Sequence, residues 1–448
     1  MSKFEYLKLA DTVAAEIASG ELKPGDRLPP QRSFAYERKI AVSTASRVYT
    51  ELLRRGLVVG EVGRGTFVSG NARRPVTATM TEPRDARIDL EINYPMLPTQ
   101  SALIARSLAG LEQPEALEAA LRQGTSSGTQ AARNISADFL SGNGWSARPE
   151  QIVFTANGRQ SIAAALAAIV PPGGRCGVEA LSYPFIKGIA ARLGVTLVPL
   201  AMDEHGVRPD AVEKASREAH LAALYIQPRV QNPLGITMPA SRRADLSQIV
   251  EKLGLIMIED AVYGFLDDEA PLAALAPNSC VLVDSLSKKV APGLALGFII
   301  PPPRLRESIM ASVRSGGWTA SGYSFAAAQR MMADGTAAEL VRLKRIDAQR
   351  RQQMAAERLA GFEIQANPNS YHLWLTLPPQ WRSQTFVTAA ARRDIALTPS
   401  STFAVSPGHA PNAVRLALAA PRIDQLDAAL RTLAGILSSS EEDYESTE

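Results

Sequence analysis

The segment DSLSKKVAPG, residues 284–293, places two adjacent lysines directly after a short apolar run that is typical of a buried strand. Lysines are mostly exposed in folded proteins, so Lys288 and Lys289 could form an ordinary solvated pair. A lysine amine can also act as a nucleophile and form an imine with a carbonyl compound. The segment by itself leaves two interpretations open, a solvated pair or a covalent anchor for a carbonyl cofactor.

Other residues with chemically useful groups follow further short apolar runs. Gly158, Arg159 and Gln160 open an alanine-rich helix, where free N–H groups and the helix dipole could hold an anion. The later runs are followed by polar or aromatic residues, namely Tyr183, Asn232, Asp260, Tyr263, Ser285 and Ser287. Each has an ordinary structural alternative, for example Asn232 as a turn former, Asp260 as a helix cap and Tyr183 as a core aromatic.

Taken together, these residue types match the requirements of pyridoxal 5′-phosphate. That cofactor needs a lysine amine for its aldehyde, a carboxylate beside its pyridine nitrogen and donors for its phenolate oxygen. It also needs an aromatic side chain against its ring, and hydroxyl and backbone N–H groups around its phosphate. The combination therefore predicts a pyridoxal phosphate site, although no single residue does so alone.

The elements that would position these residues begin at about residue 88, where helical patterns alternate with short apolar runs. Near-continuous apolar runs suit a sheet that is covered on both faces. We therefore predict a doubly wound α/β region, in which ligands bind at the carboxyl ends of the strands. The predicted strands are IVFT (152–155), TLVPL (196–200), ALYIQP (223–228), LIMIED (255–260), VLVDS (281–285) and GFII (297–300).

The composition of the whole chain is that of a folded protein, since 46% of its 448 residues are apolar and 21% are charged. No apolar run reaches the roughly 18 residues of a membrane-spanning helix, and acidic residues interrupt the apolar pattern at the N-terminus. With two cysteines and four scattered histidines, neither a disulfide scaffold nor a metal site is predicted. A cytoplasmic protein without membrane partners is expected.

The first 70 residues predict three helices and a β-hairpin. Leu9, Val13 and Ile17 recur at helical spacing, a short helix follows around Phe34, and a third helix covers about 42–55. The stretch LVVGEVGRGTFV then predicts two strands around a glycine-rich turn. This is the pattern of a winged helix-turn-helix, in which one helix enters the major groove and a wing arginine reaches the backbone or the minor groove.

This segment resembles the GntR family of bacterial regulators. The matched motifs are IASG (17–20), PGDRLPPQR (24–32) and GRGTFV (63–68). The resemblance implies binding to double-stranded operator DNA, with a protein-binding winged helix as the alternative. Relatives usually have Ser or Thr at the position of Ala41, where a helix cap contributes about 1 kcal/mol. The implied DNA-contact residues are Arg32, Ser43, Thr44, Arg47 and Arg64.

The larger part of the chain resembles the fold-type I aminotransferases, whose motifs occur here in full sequence order, through HLWLTLP (372–378) to Arg415. The resemblance implies that Lys288 is the catalytic, Schiff base-forming lysine, and that Lys289 falls on a variable position and is exposed. Asp260 would pair with the ring nitrogen, and Arg415 would bind a substrate or effector carboxylate. The remaining implied cofactor contacts are Tyr183 against the ring, Asn232 and Tyr263 at the phenolic oxygen, and Gly158, Arg159, Gln160, Ser285 and Ser287 at the phosphate.

One position departs from the aminotransferase pattern. Relatives commonly read APGLRLG, and their arginine binds the cofactor phosphate, whereas this chain reads APGLALG with Ala295 at that place. A charge-assisted contact worth roughly 1.5–3 kcal/mol is therefore missing there. Arg159, from the opposite loop, could compensate for it.

A GntR-type winged helix fused to an aminotransferase-like domain is the layout of the MocR subfamily, which the chain resembles over nearly its whole length. The resemblance implies a homodimer with its large domains paired head to tail. It also implies a regulator that senses an amine, an amino acid or pyridoxal phosphate through the aldimine at Lys288. The predicted boundaries are a DNA-binding domain (1–70), a linker (71–87), an aminotransferase-like domain (88–437) with a small C-terminal α+β subdomain from about residue 330, and an acidic disordered tail (438–448).

Two other functions are compatible with the same residues. The chain could be an active aminotransferase that carries a DNA-binding module, since the core residues for turnover are present. It could also be a cofactor-free regulator that uses the aminotransferase fold only as a dimerisation body. Ala295 is the best support for that third possibility.

Overall fold

The computed structural model describes residues 5–23, 25–54, 57–61, 64–68, 88–121, 124–406 and 410–439. The whole predicted linker (71–87) and residues 440–448 of the predicted tail lie outside the described residues, while Ser438 ends the last helix. The described residues form two compact units. The first draws on the ranges Met1–Ile92, Met354–Gln365 and His372–Glu448, and the second on Asn93–Gln353 and Ala366–Tyr371.

The N-terminal residues form a winged helix-turn-helix, as predicted. Its elements are α1 (Glu5–Ser19), α2 (Gln31–Glu37), α3 (Val42–Arg54) and the antiparallel strands β1 (Val58–Glu61) and β2 (Gly65–Val68). The apolar faces of the helices share one small core, in which the rings of Phe34 and Tyr49 pack edge-to-face with their centroids 5.3 Å apart. The Tyr49 hydroxyl donates to the Pro29 carbonyl and so ties α3 to the segment that precedes α2.

Helix α3 begins directly after the alanine that replaces the usual cap residue. The Ala41 carbonyl accepts hydrogen bonds from the backbone N–H groups of Thr44, at 2.9 Å, and Ala45, at 3.0 Å. Ser43 therefore lies inside the first turn of α3 and is not its cap residue. Since alanine has no side-chain oxygen, this turn lacks a cap that is worth about 1 kcal/mol.

The strands that follow the hairpin alternate with helices along the chain. The strands are β3 (Ile88–Asp89), β4 (Val153–Thr155), β5 (Arg175–Glu179), β6 (Thr196–Leu200), β7 (Met202–Asp203), β8 (Gly206–Val207), β9 (Ala223–Ile226), β10 (Ile256–Asp260), β11 (Cys280–Ser285), β12 (Gly297–Ile300), β13 (Ile364–Ala366), β14 (His372–Thr376), β15 (Ile395–Ala396), β16 (Thr398–Pro399) and β17 (Ala413–Ala417). Each of the six predicted apolar runs overlaps one of these strands, so these predictions are confirmed.

The helices cover the spaces between those strands. They are α4 (Gln100–Leu108), α5 (Pro114–Leu121), α6 (Gln130–Leu140), α7 (Gly158–Ile169), α8 (Phe185–Leu193), α9 (Pro209–Glu218), α10 (Ala240–Leu253), α11 (Leu272–Leu275), α12 (Leu286–Lys289), α13 (Arg306–Ser315), α14 (Gly322–Ala333), α15 (Thr336–Arg358), α16 (Ser383–Ala391) and α17 (Ile423–Ser438). Short 3-10 turns lie at Ala109–Glu112, Pro149–Gln151, Gly264–Leu266, Pro292–Leu294, Pro303–Leu305 and Ser400–Thr402.

A seven-stranded sheet with the order β4-β12-β11-β10-β9-β5-β6 forms the centre of the second unit. Neighbouring strands pair in parallel from β11 to β6, while β12 runs antiparallel to both β11 and β4. Every residue of β9, β10 and β11 is buried, because helices cover both faces of the sheet. The parallel strands place their carboxyl ends at one edge, where the predicted site residues collect.

The C-terminal part of the first unit is a smaller α+β region. Its four-stranded sheet has the order β13-β14-β17-β16, and β15 pairs in parallel with β3 from the start of the described aminotransferase-like segment. Buried apolar residues from these strands and from α16 and α17 form a second core, which includes Leu90, Trp381, Phe386 and Leu430.

Two possible features are absent from the part of the chain that the structure describes. No helix there is long and apolar enough to cross a membrane. No group of three or more metal-ligating side chains comes together there either.

Candidate cofactor site and nucleic-acid interface

Lys288 lies on α12, a single helical turn that directly follows β11, an interior strand of the seven-stranded sheet. The turn starts at Ser285, whose Oγ accepts a hydrogen bond from the Ser287 N–H at 3.1 Å. The Lys288 side chain is half-buried, and its Nζ donates to the Asn93 carbonyl at 2.6 Å. Nζ also lies 3.3 Å from the centre of the Tyr94 ring and 5.8 Å from that of Tyr263. The amine is thus held by a carbonyl and two aromatic faces.

Lys289 is buried, which corrects the expectation that it is exposed. Only 6% of its surface is accessible, and its Nζ forms an ion pair with the Asp284 carboxylate, which is buried as well. The turn of α12 directs this second lysine back toward the end of β11, where Asp284 neutralises its charge. The two adjacent lysines therefore occupy different environments, one at the candidate site and one in a buried pair.

Asp260 is the last residue of β10 and is 3% exposed. Its Oδ2 accepts hydrogen bonds from the Tyr225 hydroxyl at 2.6 Å and from Gln227 Nε2 at 2.9 Å, and its Oδ1 accepts one from the Val262 N–H at 3.0 Å. Burial raises the pKa of this carboxyl group above its ordinary value. Among the described residues no cation forms an ion pair with it. A buried, oriented carboxylate of this kind suits a cationic ring N–H.

The two residues predicted for the phenolic oxygen are both buried beside Asp260. Tyr263 follows three residues later, and its hydroxyl accepts a hydrogen bond from Asn93 Nδ2 at 2.9 Å. The Asn232 N–H donates to Gln227 Oε1 at 3.2 Å, and Gln227 in turn bonds Asp260. One polar network therefore extends from Asn232 through Gln227 to Asp260.

The predicted phosphate end is formed by the start of α7 and by α12. Asn157 caps α7, with Oδ1 accepting from the Gln160 N–H at 3.1 Å. A Cβ on Gly158 would lie 3.1 Å from Ser285 Cβ, so the two elements approach closely, and Ser285 Oγ lies 2.8 Å from Ser287 Oγ. The buried Gln160 Oε1 has no hydrogen-bond partner among the described residues. Hydroxyl groups and a helix N-terminus thus surround a place that suits an anion.

Arg159 and Tyr183 contact each other beside this helix start. Arg159 Nε donates to the Tyr183 hydroxyl at 3.1 Å, and its guanidinium carbon lies 3.5 Å from the centre of the Phe185 ring. Burial raises the pKa of Tyr183 to about 12, so its phenol stays neutral at physiological pH. Ala295 is buried and brings no charge, which leaves Arg159 as the cation at the start of α7.

These residues fit pyridoxal phosphate on two observations. The Asp260 carboxylate is buried and oriented without an ion-pair partner among the described residues. The glycine at the start of α7 allows that helix to approach the serines of α12 more closely than a larger residue would permit. A cationic ring nitrogen would pair with Asp260, and an anionic phosphate would lie between the start of α7 and the serines of α12.

Arg415 lies on β17 in the first unit and is 5% exposed. Its Nη2 donates to the Glu91 carbonyl and, at 3.1 Å, to the Thr398 hydroxyl. Its guanidinium carbon also lies 5.2 Å from the centre of the Phe403 ring. The predicted carboxylate-binding arginine is therefore positioned by backbone and side-chain contacts.

The predicted DNA-contact residues divide into two groups. Arg32, Ser43 and Arg47 are exposed on α2 and α3, and Thr44 beside them is partly buried. Arg64, from the wing, instead donates through Nη2 to the Pro379 carbonyl at 3.0 Å and through Nη1 to the Trp381 carbonyl at 3.5 Å, which leaves it half-buried.

Sequence reasoning missed several residues of the site. Asn93 and Tyr94 reach Lys288 from a loop nearly 200 residues earlier in the chain, and no local motif marks them. Tyr225 and Gln227 have a weak signal, because they are polar residues two apart within the apolar run ALYIQP. Residues two apart on a strand point to one face, which could have indicated a shared partner.

Comparison with known families identifies two matching regions. The family described as "Aminotransferase class I and II" matches residues 87–433. A second model, "Bacterial regulatory proteins, gntR family", matches residues 5–68.

Several curated proteins are similar to this chain over most of its length. The chain is 28% identical over 437 residues to the uncharacterised HTH-type transcriptional regulator YdeF of Bacillus subtilis, covering 96% of this chain and 94% of the relative. It is 28% identical to the HTH-type pyridoxine biosynthesis transcriptional regulator PdxR of Corynebacterium glutamicum, covering 68% of each. It is 27% identical to the probable rhizopine catabolism regulatory protein MocR of Rhizobium meliloti, covering 78% of this chain and 76% of the relative.

Solved structures share the fold of the larger part of the chain. An archaeal alanine:glyoxylate aminotransferase superposes with a TM-score of 0.70 at 23% identity, over 78% of this chain and 90% of that one. The α-aminoadipate aminotransferase LysN of Thermus thermophilus superposes with a TM-score of 0.70 at 21% identity, over 81% of this chain and 94% of that one. The likeness establishes a fold-type I aminotransferase architecture.

Proposed function

The chain belongs to the aminotransferase class I and II family and carries a gntR-type domain at its N-terminus, and from this premise we propose that it regulates transcription in response to a ligand at Lys288. The ligand would be pyridoxal phosphate itself, an amine or an amino acid. Relatives that match two thirds or more of this chain are named as transcriptional regulators, one of them of pyridoxine biosynthesis, which supports this function.

The observation that carries the proposal is the position of the Lys288 amine. It points toward the Asn93 carbonyl and the Tyr94 ring, and it lies 5.8 Å from the ring centre of Tyr263, three residues after Asp260. A solvated loop lysine would have no such enclosure. The amine is thus held against polar and aromatic groups, and other residues of the same unit suit a pyridine ring and a phosphate.

When bound, pyridoxal phosphate supplies an aldehyde that amines attack and a ring that withdraws electrons. Asp260 would hold the proton on the ring nitrogen, and the Tyr225 and Gln227 donors would keep its carboxylate ionised and oriented. Asn232 and Tyr263 would donate to the phenolic oxygen, and Tyr183 would lie against the ring. The start of α7, Arg159 and the two serines of α12 would hold the phosphate.

The response to a ligand would follow from unequal binding to two states of the protein. An amino ligand would compete with Lys288 for the aldehyde, and Arg415 would bind its carboxylate. The ligand can change the DNA affinity only by as much as the ligand's own affinity differs between the two states. We further propose a homodimer, in which two winged helices read two DNA half-sites and the dimer sets their spacing.

The decisive experiment replaces Lys288 with Ala in the full-length protein. Wild-type protein mixed with pyridoxal phosphate should develop the absorbance band of a lysine-bound cofactor, and ethylamine or L-alanine should change it. K288A should show neither effect, and its binding to a DNA fragment selected from a random library should no longer respond to these compounds. K252A, at an exposed lysine, is the matched control. If K288A keeps both the band and the ligand response, the proposed switch is wrong.

The second candidate function is an active aminotransferase with a DNA-binding module. The presence of the imine-forming lysine, the buried aspartate and the carboxylate-binding arginine supports it. Steady-state transamination assays over a panel of amino acids distinguish it from a regulator. A purified protein that stays colourless with pyridoxal phosphate would instead favour a cofactor-free regulator.

A further inference from the structure

Lys344, which no sequence motif marks, contacts the turn that carries Lys288. Lys344 is on α15 and is 0% exposed. Its Nζ donates to the Lys288 carbonyl at 2.9 Å and to the Val290 carbonyl at 2.6 Å. These carbonyls lie at the C-terminal end of α12, where a helix has unpaired acceptors and partial negative charge.

The burial of this amine is costly and needs a compensating partner. Burial lowers the pKa of Lys344 to about 7. Within the described part of the chain the hydrogen-bond partners of Nζ are the two carbonyls of the α12 segment, and no carboxylate forms an ion pair with it. A buried amine is stable only where acceptors satisfy its N–H donors, and here those acceptors are the two carbonyls of the α12 segment.

The other end of Lys344 is fixed as well. The Tyr371 hydroxyl lies 2.7 Å from the Lys344 carbonyl and 2.9 Å from Asp347 Oδ2, one turn further along α15. Arg351 Nε donates to the same Asp347 oxygen at 2.7 Å. The Tyr371 hydrogen bond therefore fixes the α15 backbone at Lys344. The Lys344 side chain in turn fixes the position of α12 relative to α15.

We propose that Lys344 is a positioning residue: its hydrogen bonds to the Lys288 and Val290 carbonyls hold the α12 turn in place and thereby orient the Lys288 amine. This inference rests on the proposed function for the role of Lys288, but the contact between Lys344 and α12 does not depend on any ligand. A four-residue helix has little stability of its own, since its single hydrogen-bonded turn is only a nucleus. Without the hydrogen bonds from Lys344 Nζ, the α12 turn would lose its helical conformation, and the Lys288 amine would adopt several orientations.

The test compares K344M with V250A in the full-length protein. Methionine fills a similar volume but removes the donors, and Val250 is a fully buried residue of α10 in the same unit. V250A lowers stability from a place outside the site. Two quantities are measured: hydrogen exchange of residues 286–292 without cofactor, and the dissociation constant of pyridoxal phosphate from an absorbance titration.

K344M should accelerate exchange of the Val290 amide, which donates to the Leu286 carbonyl, and should raise the dissociation constant, each by about tenfold or more. V250A should leave both quantities close to wild type although its melting temperature falls. K344R, which restores a cation with several donors, should recover part of the loss. Wild-type values of both quantities in K344M would overturn the proposal.

Two further outcomes are distinguishable. If wild-type protein gives no cofactor band, the proposed function fails, and the exchange measurement still decides the role of Lys344. If K344M does not fold, Y371F loosens Lys344 from its opposite end and should change both quantities in the same direction by a smaller factor. Unchanged exchange in a folded Y371F protein would then contradict the proposal.

Discussion

The Tyr225 hydroxyl lies 2.6 Å from Oδ2 of Asp260, across the parallel pair of strands β9 and β10. This contact favours the ionised carboxylate, whereas burial favours the neutral form. The balance between these two effects determines how well Asp260 can hold a protonated ring nitrogen.

Replacing Tyr225 with Phe should therefore weaken cofactor binding. A hydrogen bond to a charged group contributes about 1.5–3 kcal/mol, so we expect pyridoxal phosphate affinity to fall about tenfold or more. Absorbance titration measures it, and D260N, which removes the carboxylate itself, should show a larger loss. An unchanged affinity in Y225F would mean that this hydroxyl does not support the site.

Breaking the buried pair beside the candidate site should destabilise the protein. K289M would leave the buried Asp284 carboxylate without its cation, a change that typically costs about 3–5 kcal/mol. The double variant K289M/D284N, which removes both charges, should recover most of that loss. Urea unfolding midpoints measure both effects, and a K289M protein as stable as wild type would contradict the pairing.

Glu179 at the end of β5 should make stability depend on pH. Burial raises the pKa of Glu179 to about 8, against about 4.3 in an unfolded chain. Between these values the folded state keeps a proton that the unfolded state has released. Stability should therefore decrease as pH rises through this window, by at most about 1.4 kcal/mol per pH unit from this group.

The variant E179Q carries no titrating group at this position and tests that slope. Its amide oxygen can still accept from the Gln227 N–H, which lies 3.1 Å from Glu179 Oε1 in the native protein. Urea midpoints at pH 5 and pH 8 should differ less in E179Q than in wild type. An identical pH dependence in the two proteins would show that Glu179 is ionised throughout.

Arg415 should discriminate between ligands with and without a carboxylate. In wild type, L-alanine should act on the cofactor absorbance at lower concentration than ethylamine, which lacks the carboxylate. R415Q should raise the alanine concentration required by about 10- to 100-fold, as expected for loss of a charge-assisted pair. The ethylamine response should stay the same, and an equal effect on both compounds would argue against carboxylate binding.

Two of the three arginines predicted to contact DNA, Arg47 and Arg64, should behave differently when replaced by alanine. Each substitution should reduce the slope of log affinity against log salt by about 1, if each residue neutralises one phosphate. R47A should leave the melting temperature unchanged, because Arg47 is exposed. R64A should also lower it, since Arg64 bonds the Pro379 and Trp381 carbonyls. An unchanged salt slope in R64A would show that Arg64 does not neutralise a DNA phosphate.

Much of the fold could be predicted from the sequence because its signals are local. Apolar runs such as LIMIED and VLVDS are short enough to be strands and are bounded by helical patterns, and the structure has strands at both. The winged helix followed from helical spacing and from a glycine-rich hairpin. Residues at the ends of these strands, such as Asp260 and Lys288, could be selected because parallel strands share one carboxyl edge.

The environments of individual side chains depend instead on which distant segments pack together. The family motif places Lys289 at a variable position and gives no sign of its buried pair with Asp284, so the expectation of an exposed lysine is wrong. Asn93 meets Lys288 from the loop after β3, and Lys344 reaches it from a helix 56 positions later in the chain.

The sequence by itself thus determined the order of elements and the residue types gathered at one sheet edge, because backbone propensity and apolar spacing act over a few residues. Only the tertiary structure decided which lysine contacts Asn93 and Tyr94, which donors bind Asp260 and which amine bonds the carbonyls of α12. Those outcomes depend on burial and on hydrogen bonds between groups far apart in the chain, and the free energy of such contacts exists only once the sheet and its covering helices have assembled.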